Sequence, residues 1–315
     1  MNSEQNAPRP VGERRANAAD TILFGEILAD VFPDRTVLGG APFNVARHLA
    51  AFGKKPLLIS RLGDDDLGRQ ALGDMNDWGM DTAAVQIDRN RPTGRVQVHI
   101  EEAGHRFEIL PRQAYDFIDS GPAMAMLEAA CPELIYFGTL SQRHQTSRQA
   151  LSDVLQRSIV PCFLDINLRE PWYDEDTVRF SLRHASIVKL SDEELRTLAA
   201  MFATNATTEQ EQAAKLKRMF NIDRLIVTCG SEGAWQLDED DSISSTISGK
   251  QPVIVDTVGA GDAFAAVCIL GILLSWPMVT ALRRADGFAA AICEIRGAVP
   301  GNQEFYQPFL KEWTL

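Results

Sequence analysis

The chain has 315 residues with 43 acidic against 31 Lys and Arg side chains, a formal net charge of -12 and 45% hydrophobic content. That balance argues against a phosphate-backbone-binding surface, which concentrates Lys and Arg, though small anionic ligands remain compatible with it. No apolar run reaches the length of a membrane span, and the size suits one large α/β domain or two small ones with a substantial core. Five cysteines without a C-x-x-C pair read as buried small hydrophobes in a reducing, cytoplasmic compartment, and five unclustered histidines argue against zinc.

Residues 1–19 are polar and rich in Arg, Asn and Pro, and are expected to form a disordered tail. The run Ile22 to Asp30 begins as a buried strand and ends in two acids, Glu26 and Asp30. Ligands collect at strand ends in open α/β sheets, so Asp30 is either a ligand contact or a solvated turn residue. Next, Leu38-Gly39-Gly40-Ala41-Pro42-Phe43-Asn44 opens an Ala-rich helix that Gly53 closes. Asn44 falls in its first turn, where Asn is also an ordinary capping residue, and His48 reads as a packing or surface histidine. After the strand Pro56–Ser60, the acids of Gly63-Asp64-Asp65-Asp66-Leu67-Gly68 lack the remaining ligands of a calcium loop and read as a helix cap.

From Thr93 the period changes to two. Val96, Val98 and Ile100 alternate with Arg95, Gln97 and His99, and after Glu102-Ala103-Gly104 the pattern continues through Phe107 and Ile109. This antiparallel hairpin departs from the surrounding rhythm and should form a separate layer packed on something else. Strands near 134–137, 160–165, 186–190 and 224–229 then alternate with helices near 145–158, 175–184, 191–203 and 208–220, which implies a mostly parallel sheet. No repeat or Pro- or Ser-rich linker interrupts it, so residues 20–315 read as a single domain.

Asp165-Ile166-Asn167-Leu168-Arg169 sets an Asn and a cation at a strand end; Arg169 either pairs with surface acids or serves a cleft. Thr228-Cys229-Gly230-Ser231-Glu232-Gly233 joins a strand to a turn and is weak evidence by itself. Pro252 to Asp256 reads as a strand, Gly259-Ala260-Gly261 as a tight turn, and the residues beyond, through Leu274, as a buried helix. Such a turn aims several N–H groups and a helix dipole at one spot, a candidate anion site. Asp262 is then either a first-turn carboxylate or a general base beside a transferred phosphoryl group. No G-x-x-x-x-G-K-[ST] string is present, which separates the chain from P-loop kinases.

The string Asp256-Thr257-Val258-Gly259-Ala260-Gly261-Asp262-Ala263-Phe264 resembles the C-terminal signature of the PfkB, or ribokinase-like, family of carbohydrate kinases, and Leu38 to Gly53 resembles its N-terminal one. The resemblance runs from about residue 20 to 310. It implies a three-layer ribokinase-like α/β fold, a mostly parallel sheet between helices, with a small β lid drawn from about 30–38 and 92–112 through which a homodimer would form. It implies a kinase that uses ATP and Mg²⁺, and in some members K⁺, to phosphorylate a primary hydroxyl of a small sugar, with no nucleic-acid or membrane partner. Asp262 would be the base, Gly259, Ala260 and Gly261 the anion hole, and Arg169 a brace for phosphate charge. Asp30, Gly39, Gly40 and Asn44 would hold the sugar, and Lys189, Thr228, Gly230, Gly233 and Asn302 the nucleotide. Glu194 would reach Mg²⁺ through water, and Asp256 would lie beside a monovalent cation. One position departs from the family's Lys-x-Asn-x-x-Glu: Ser191 replaces the Asn. Pro92-Thr93-Gly94, Ala114-Tyr115-Asp116 and the run Tyr136 to Arg143 look most like the fructokinase branch, so fructose is the expected sugar. The alternatives are 2-keto-3-deoxygluconate, ribose or a nucleoside, or a non-catalytic sugar- or nucleotide-binding regulator.

Overall fold

The computed structural model describes residues 19–101, 104–204, 206–246 and 253–315; of the tail expected over residues 1–19 all but Ala19 lies outside them, as does Pro252. Strands in chain order are β1 (Thr21–Phe24), β2 (Leu28–Val31), β3 (Thr36–Gly39), β4 (Pro56–Gly63), β5 (Val85–Asp88), β6 (Gly94–Glu101) and β7 (Gly104–Ile109). They continue with β8 (Leu134–Gly138), β9 (Cys162–Asp165), β10 (Ile187–Ser191), β11 (Arg224–Thr228), β12 (Ala234–Leu237) and β13 (Ile243–Thr246). Nine of them form one sheet in the order β13-β12-β11-β10-β9-β8-β1-β4-β5. It is parallel throughout except where β12 and β13 add an antiparallel edge.

Central strands are mostly apolar, with the polar residues Asp165, Lys189 and Ser191 at or near the carboxyl ends, because helices cover both faces of the sheet. Alternation then divides their side chains. Ile22, Phe24, Ile135 and Phe137 enter a core on one face, while Leu23, Tyr136 and Phe163 enter the core on the other. The second core includes the Ala260–Leu273 helix, whose residues from Ala263 to Gly271 are all buried. A helix apolar on every side has no solvent face, so its polar business is confined to its first turn.

The apolar run from Ile22 onward divides into two strands of different sheets. Gly25 breaks it: with φ at +149°, a Cβ there would lie 2.6 Å from the Pro42 ring. Beyond it, β2 joins a four-stranded sheet ordered β3-β2-β6-β7, in which β2 and β6 run parallel and the other pairs antiparallel. The alternating hairpin is therefore a separate layer, with Val96 and Val98 buried and Phe107 half-exposed.

Three local expectations are corrected. The β-branched segment Val253-Ile254-Val255 is exposed and not a strand, because the Val255 and Asp256 amides donate to the Cys293 carbonyl and draw the chain past a helix end. The Ala-rich run 277–297, whose sequence reads as one helix closed by Gly297, is α-helical from Met278 to Cys293. Of the cysteines only Cys162 and Cys268 are buried; Cys131 is exposed at a left-handed helix C-cap.

The root of the small sheet is tied to the large one by Asp65. Its carboxylate caps the Asp66–Asp77 helix by accepting from the Gly68 amide at 2.8 Å, and also accepts from the Thr93 amide at 2.9 Å and hydroxyl at 2.6 Å. Asp65→Ala removes a cap and strands two donors next to Gly94, so unfolding in urea should show a loss of about 2–3 kcal/mol. A change below about 0.5 kcal/mol, the usual range for surface substitutions, would contradict this role.

Candidate active site

A cavity of about 750 Å³ lies between the carboxyl ends of the parallel strands and the small sheet. Its floor carries Glu26, Asn167 and Arg169 from segments that follow β1 and β9, and Val96 and Phe107 come from the small sheet. This is the edge where an open α/β sheet collects ligands.

Gly259, in the left-handed region at φ +80°, caps the Ala260–Leu273 helix. A Cβ there would sit 2.4 Å from the Cα of Ala298, so only glycine permits this approach. First-turn N–H groups of a helix have no intrahelical acceptors, and here they lie at the cavity wall formed by Gly259 and Gly261. The Ala260 amide is an exception, turned toward the Thr257 carbonyl at 3.4 Å. Asp262 makes no cap bond. Its carboxylate instead accepts from the Asn44 side-chain amide at 2.7 Å. Burial raises Asp262 to about 6; the Asn44 bond pulls it down, Asp165 pushes it up, and Lys189 and Arg169 pull it down again.

The sugar-side expectations converge on the same cavity, with Asp30, Gly39, Gly40 and Asn44 all on its wall. Asp30 Oδ2 lies 3.9 Å and Asn44 Oδ1 4.0 Å from where a Gly39 Cβ would be, so a side chain at Gly39 would fill the space between them. Asn44 Oδ1 is buried without a hydrogen-bond partner, an acceptor left for a ligand hydroxyl. Asp30 is raised to about 6, chiefly by burial, with Arg169 opposing and Asp256 reinforcing. Gly40 starts the Ala41–Ala51 helix at φ +106°, where a Cβ would strike the Glu26 carbonyl at 2.6 Å.

Glu26 was visible in the sequence as an acid at a strand end, without a role. It is buried beneath that turn, and burial raises it to about 7, with its own backbone amide opposing and Asp262 reinforcing. Arg169 is exposed at the cavity and has no carboxylate within ion-pair distance among the described residues.

Lys189, Glu194, Thr228, Gly230, Gly233 and Asn302 do not line the cavity. Lys189 is buried with its ammonium on Asp165, at 2.9 and 3.1 Å, and 3.5 Å from where a Gly261 Cβ would be, so it supports the turn from below. Glu194 has both oxygens engaged, one accepting from the Leu168 amide at 2.7 Å and the other from the Ser191 amide at 2.8 Å. In return the Glu194 amide donates to Ser191 Oγ at 3.1 Å, completing a capping box on the Asp192–Met201 helix. Serine in place of the usual Asn is thus explained as a helix cap, and Glu194 as the residue that fixes the loop bearing Arg169. Thr228, Gly230 and Gly233 form the turn between β11 and β12, closed by the Cys229 amide on the Gly233 carbonyl at 2.8 Å. Asn302 caps the 3₁₀ turn Gln303–Tyr306. Asp256 lines the cavity and accepts from the Val258 amide at 3.1 Å and the Gly297 amide at 3.0 Å. No cluster of three His, Cys, Asp or Glu suited to a metal ion occurs among the described residues. Mg²⁺ bound together with substrate phosphates commonly keeps several waters and needs only one or two protein carboxylates.

The model of the pfkB family of carbohydrate kinases matches residues 14–304. Among curated proteins the chain is 28% identical to a fructokinase of Vibrio alginolyticus over 297 residues, covering 88% of this chain and 94% of that one. It is 28% identical to a fructokinase of Escherichia coli over 267 residues, 81% and 85% of the respective chains. Among solved structures, the fructokinase of Xylella fastidiosa with bound ATP superposes with a TM-score of 0.80 at 20% identity, covering 94% of this chain and 99% of that one. The fructokinase of Vibrio cholerae in its fructose-, ADP- and calcium-bound form gives 0.77 at 23% identity, with 92% and 99% covered. These likenesses establish a ribokinase-like fold, and since the family match takes in both walls of the cavity, the chain belongs to the pfkB family of carbohydrate kinases and is a sugar kinase, a phosphotransferase.

Proposed function

We propose that the chain transfers the γ-phosphoryl group of Mg-ATP to a primary hydroxyl of fructose. The observation that carries this reading is the pairing of Asn44 with Asp262 beside the Gly259 turn, in one cavity, with the carboxylate near the operating range of a general base. Mg-ATP supplies the activated phosphoryl group and neutralises part of its charge. Asp30, Asn44 and the Gly39–Gly40 backbone bind the sugar hydroxyls, and the unpartnered Asn44 oxygen accepts from one of them. Asn44 thereby orients both the hydroxyl and the base. Asp262 takes the hydroxyl proton as the sugar oxygen attacks phosphorus and the bond to the β–γ bridging oxygen breaks, so ADP leaves and the proton later passes to solvent. The N–H groups of Gly259 and Gly261 and the guanidinium of Arg169 stabilise the charge on the transferred oxygens.

Lys189 acts through its position under the turn, and Thr228, Gly230, Gly233 and Asn302 border the nucleotide outside the cavity described above. Glu194 would act on Mg²⁺ through water, and Asp256 would adjoin a K⁺ site. The small sheet serves as the lid over the sugar and as the surface for a homodimer of a cytoplasmic enzyme. Fructose is favoured over the other sugars by the fructokinase relatives. The regulator reading rested on Ser191, which the capping box accounts for.

Release of ADP from Mg-ATP with a panel of fructose, ribose, 2-keto-3-deoxygluconate and adenosine should single out fructose, and Asp262→Asn should lower kcat by about 10²–10⁴-fold. Preference for another member of the panel would replace fructose; unchanged turnover in Asp262→Asn would remove its role as base. The proton transfer also sets a pH dependence. A base raised to about 6 must be ionised, so kcat/KM should rise with pH to a plateau above the midpoint. The Asn44 bond holds the carboxylate down, so in Asn44→Ala the residual activity should have its acid limb moved to higher pH. An acid limb that stays in place, or moves down, contradicts the pairing.

A further inference from the structure

Two buried basic side chains on the Ala41–Ala51 helix are not used by the mechanism: Arg47, 2% exposed, and His48, fully buried. They lie three and four residues beyond Asn44, on the same side of the helix. Arg47 does not line the cavity. One guanidinium nitrogen pairs with Asp74, another donates to the Pro300 carbonyl at 3.2 Å, and its plane lies 4.0 Å over the Trp78 ring. His48 Nδ1 lies 2.9 Å from the Tyr306 hydroxyl and its Nε2 has no hydrogen-bond partner, while the Ala298 backbone is close enough to favour the charged ring slightly. Ala298 is the residue against which Gly259 packs, and it lines the cavity.

We propose that Arg47 and His48 are positioning residues that clamp the segment Ala298 to Pro300 against Gly259, so that one helix face sets both the base, through Asn44, and the wall of the turn that receives the γ-phosphate. The proposal rests on the phosphoryl-transfer reading. A lysine at 47 cannot make the forked contact to Asp74 and Pro300 while lying flat on Trp78. Burial first, then Arg47, pushes His48 down to about 3, so the ring is neutral over the working range and the clamp does not titrate there.

A clamp acting on the γ-phosphate wall should be felt by a triphosphate and not by a diphosphate. Calorimetric titration without sugar, using the magnesium complexes of β,γ-imido-ATP and of ADP, separates the two. In Arg47→Met and His48→Leu the imido-ATP Kd should rise about tenfold, the equivalent of about 1.4 kcal/mol, with the ADP Kd within about twofold. Should Arg47→Met fail to fold, Arg47→Lys, which keeps a charge opposite Asp74, is expected to show the same divergence. Asp74→Asn is the structural control: it weakens the ion pair and lowers Tm but leaves the Pro300 contact, and should keep the ratio of the two Kd values. Equal weakening of both nucleotides, or an unchanged ratio in the Arg47 and His48 variants, would overturn the proposal. A wild-type protein that binds neither nucleotide would overturn the phosphoryl-transfer reading, and the clamp with it.

Discussion

The rest of the site depends on a hydrogen bond between two helix beginnings. Asn44 and Asp262 lie 218 residues apart in sequence, each in the first turn of a helix started by a positive-φ glycine, and their side chains meet at 2.7 Å. Helix first turns expose N–H groups and positive potential, so bringing two of them together creates a place for negative charge and hydroxyl oxygens. Gly40 and Gly259 make that convergence sterically attainable, because each packs its Cα where a side chain would collide with backbone.

The second constraint is desolvation. Glu26, Asp30 and Asp262 border one cavity, and burial is the largest cause of the raised value in all three. Lys189 is committed to Asp165, and Arg169 is an exposed cation at the cavity beside them. Such an arrangement holds carboxylates close to their protonation midpoint, where a modest change in neighbouring charge moves a proton. The arriving nucleotide adds negative charge and its metal adds positive charge, so the balance at Asp262 is set by the assembled complex more than by the empty cavity.

Much of this was legible in the sequence because it is local. The two glycine-led helix starts and the switch from a mixed rhythm to a period of two at Thr93 are patterns of neighbouring residues, and they placed Asp30, Asn44, Arg169 and Asp262 at element ends. What stayed hidden depends on partners distant in the chain. Val253-Ile254-Val255 has strand composition, but a helix end takes its amides, and composition cannot report that competition. Ser191 appeared as a departure because its side-chain partner, Glu194, had been given a metal role; the pattern Ser-x-x-Glu was present and is itself a capping signature. Arg47 and His48 gave no signal at all, since their partners at 74, 298, 300 and 306 are defined only by folding.

The most direct test of the account is a crystal structure of the protein with Mg-ADP, aluminium fluoride and fructose, a mimic of the in-line transfer. The account predicts the Asp262 carboxylate within hydrogen-bonding distance of the attacking hydroxyl, roughly 2.6–3.2 Å. It predicts the fluorides against the amides of the Gly259 turn, and Asn44 bonded to both Asp262 and the sugar. A hydroxyl paired with Asp30 or Glu26 while Asp262 remains bonded to Asn44 alone would contradict it.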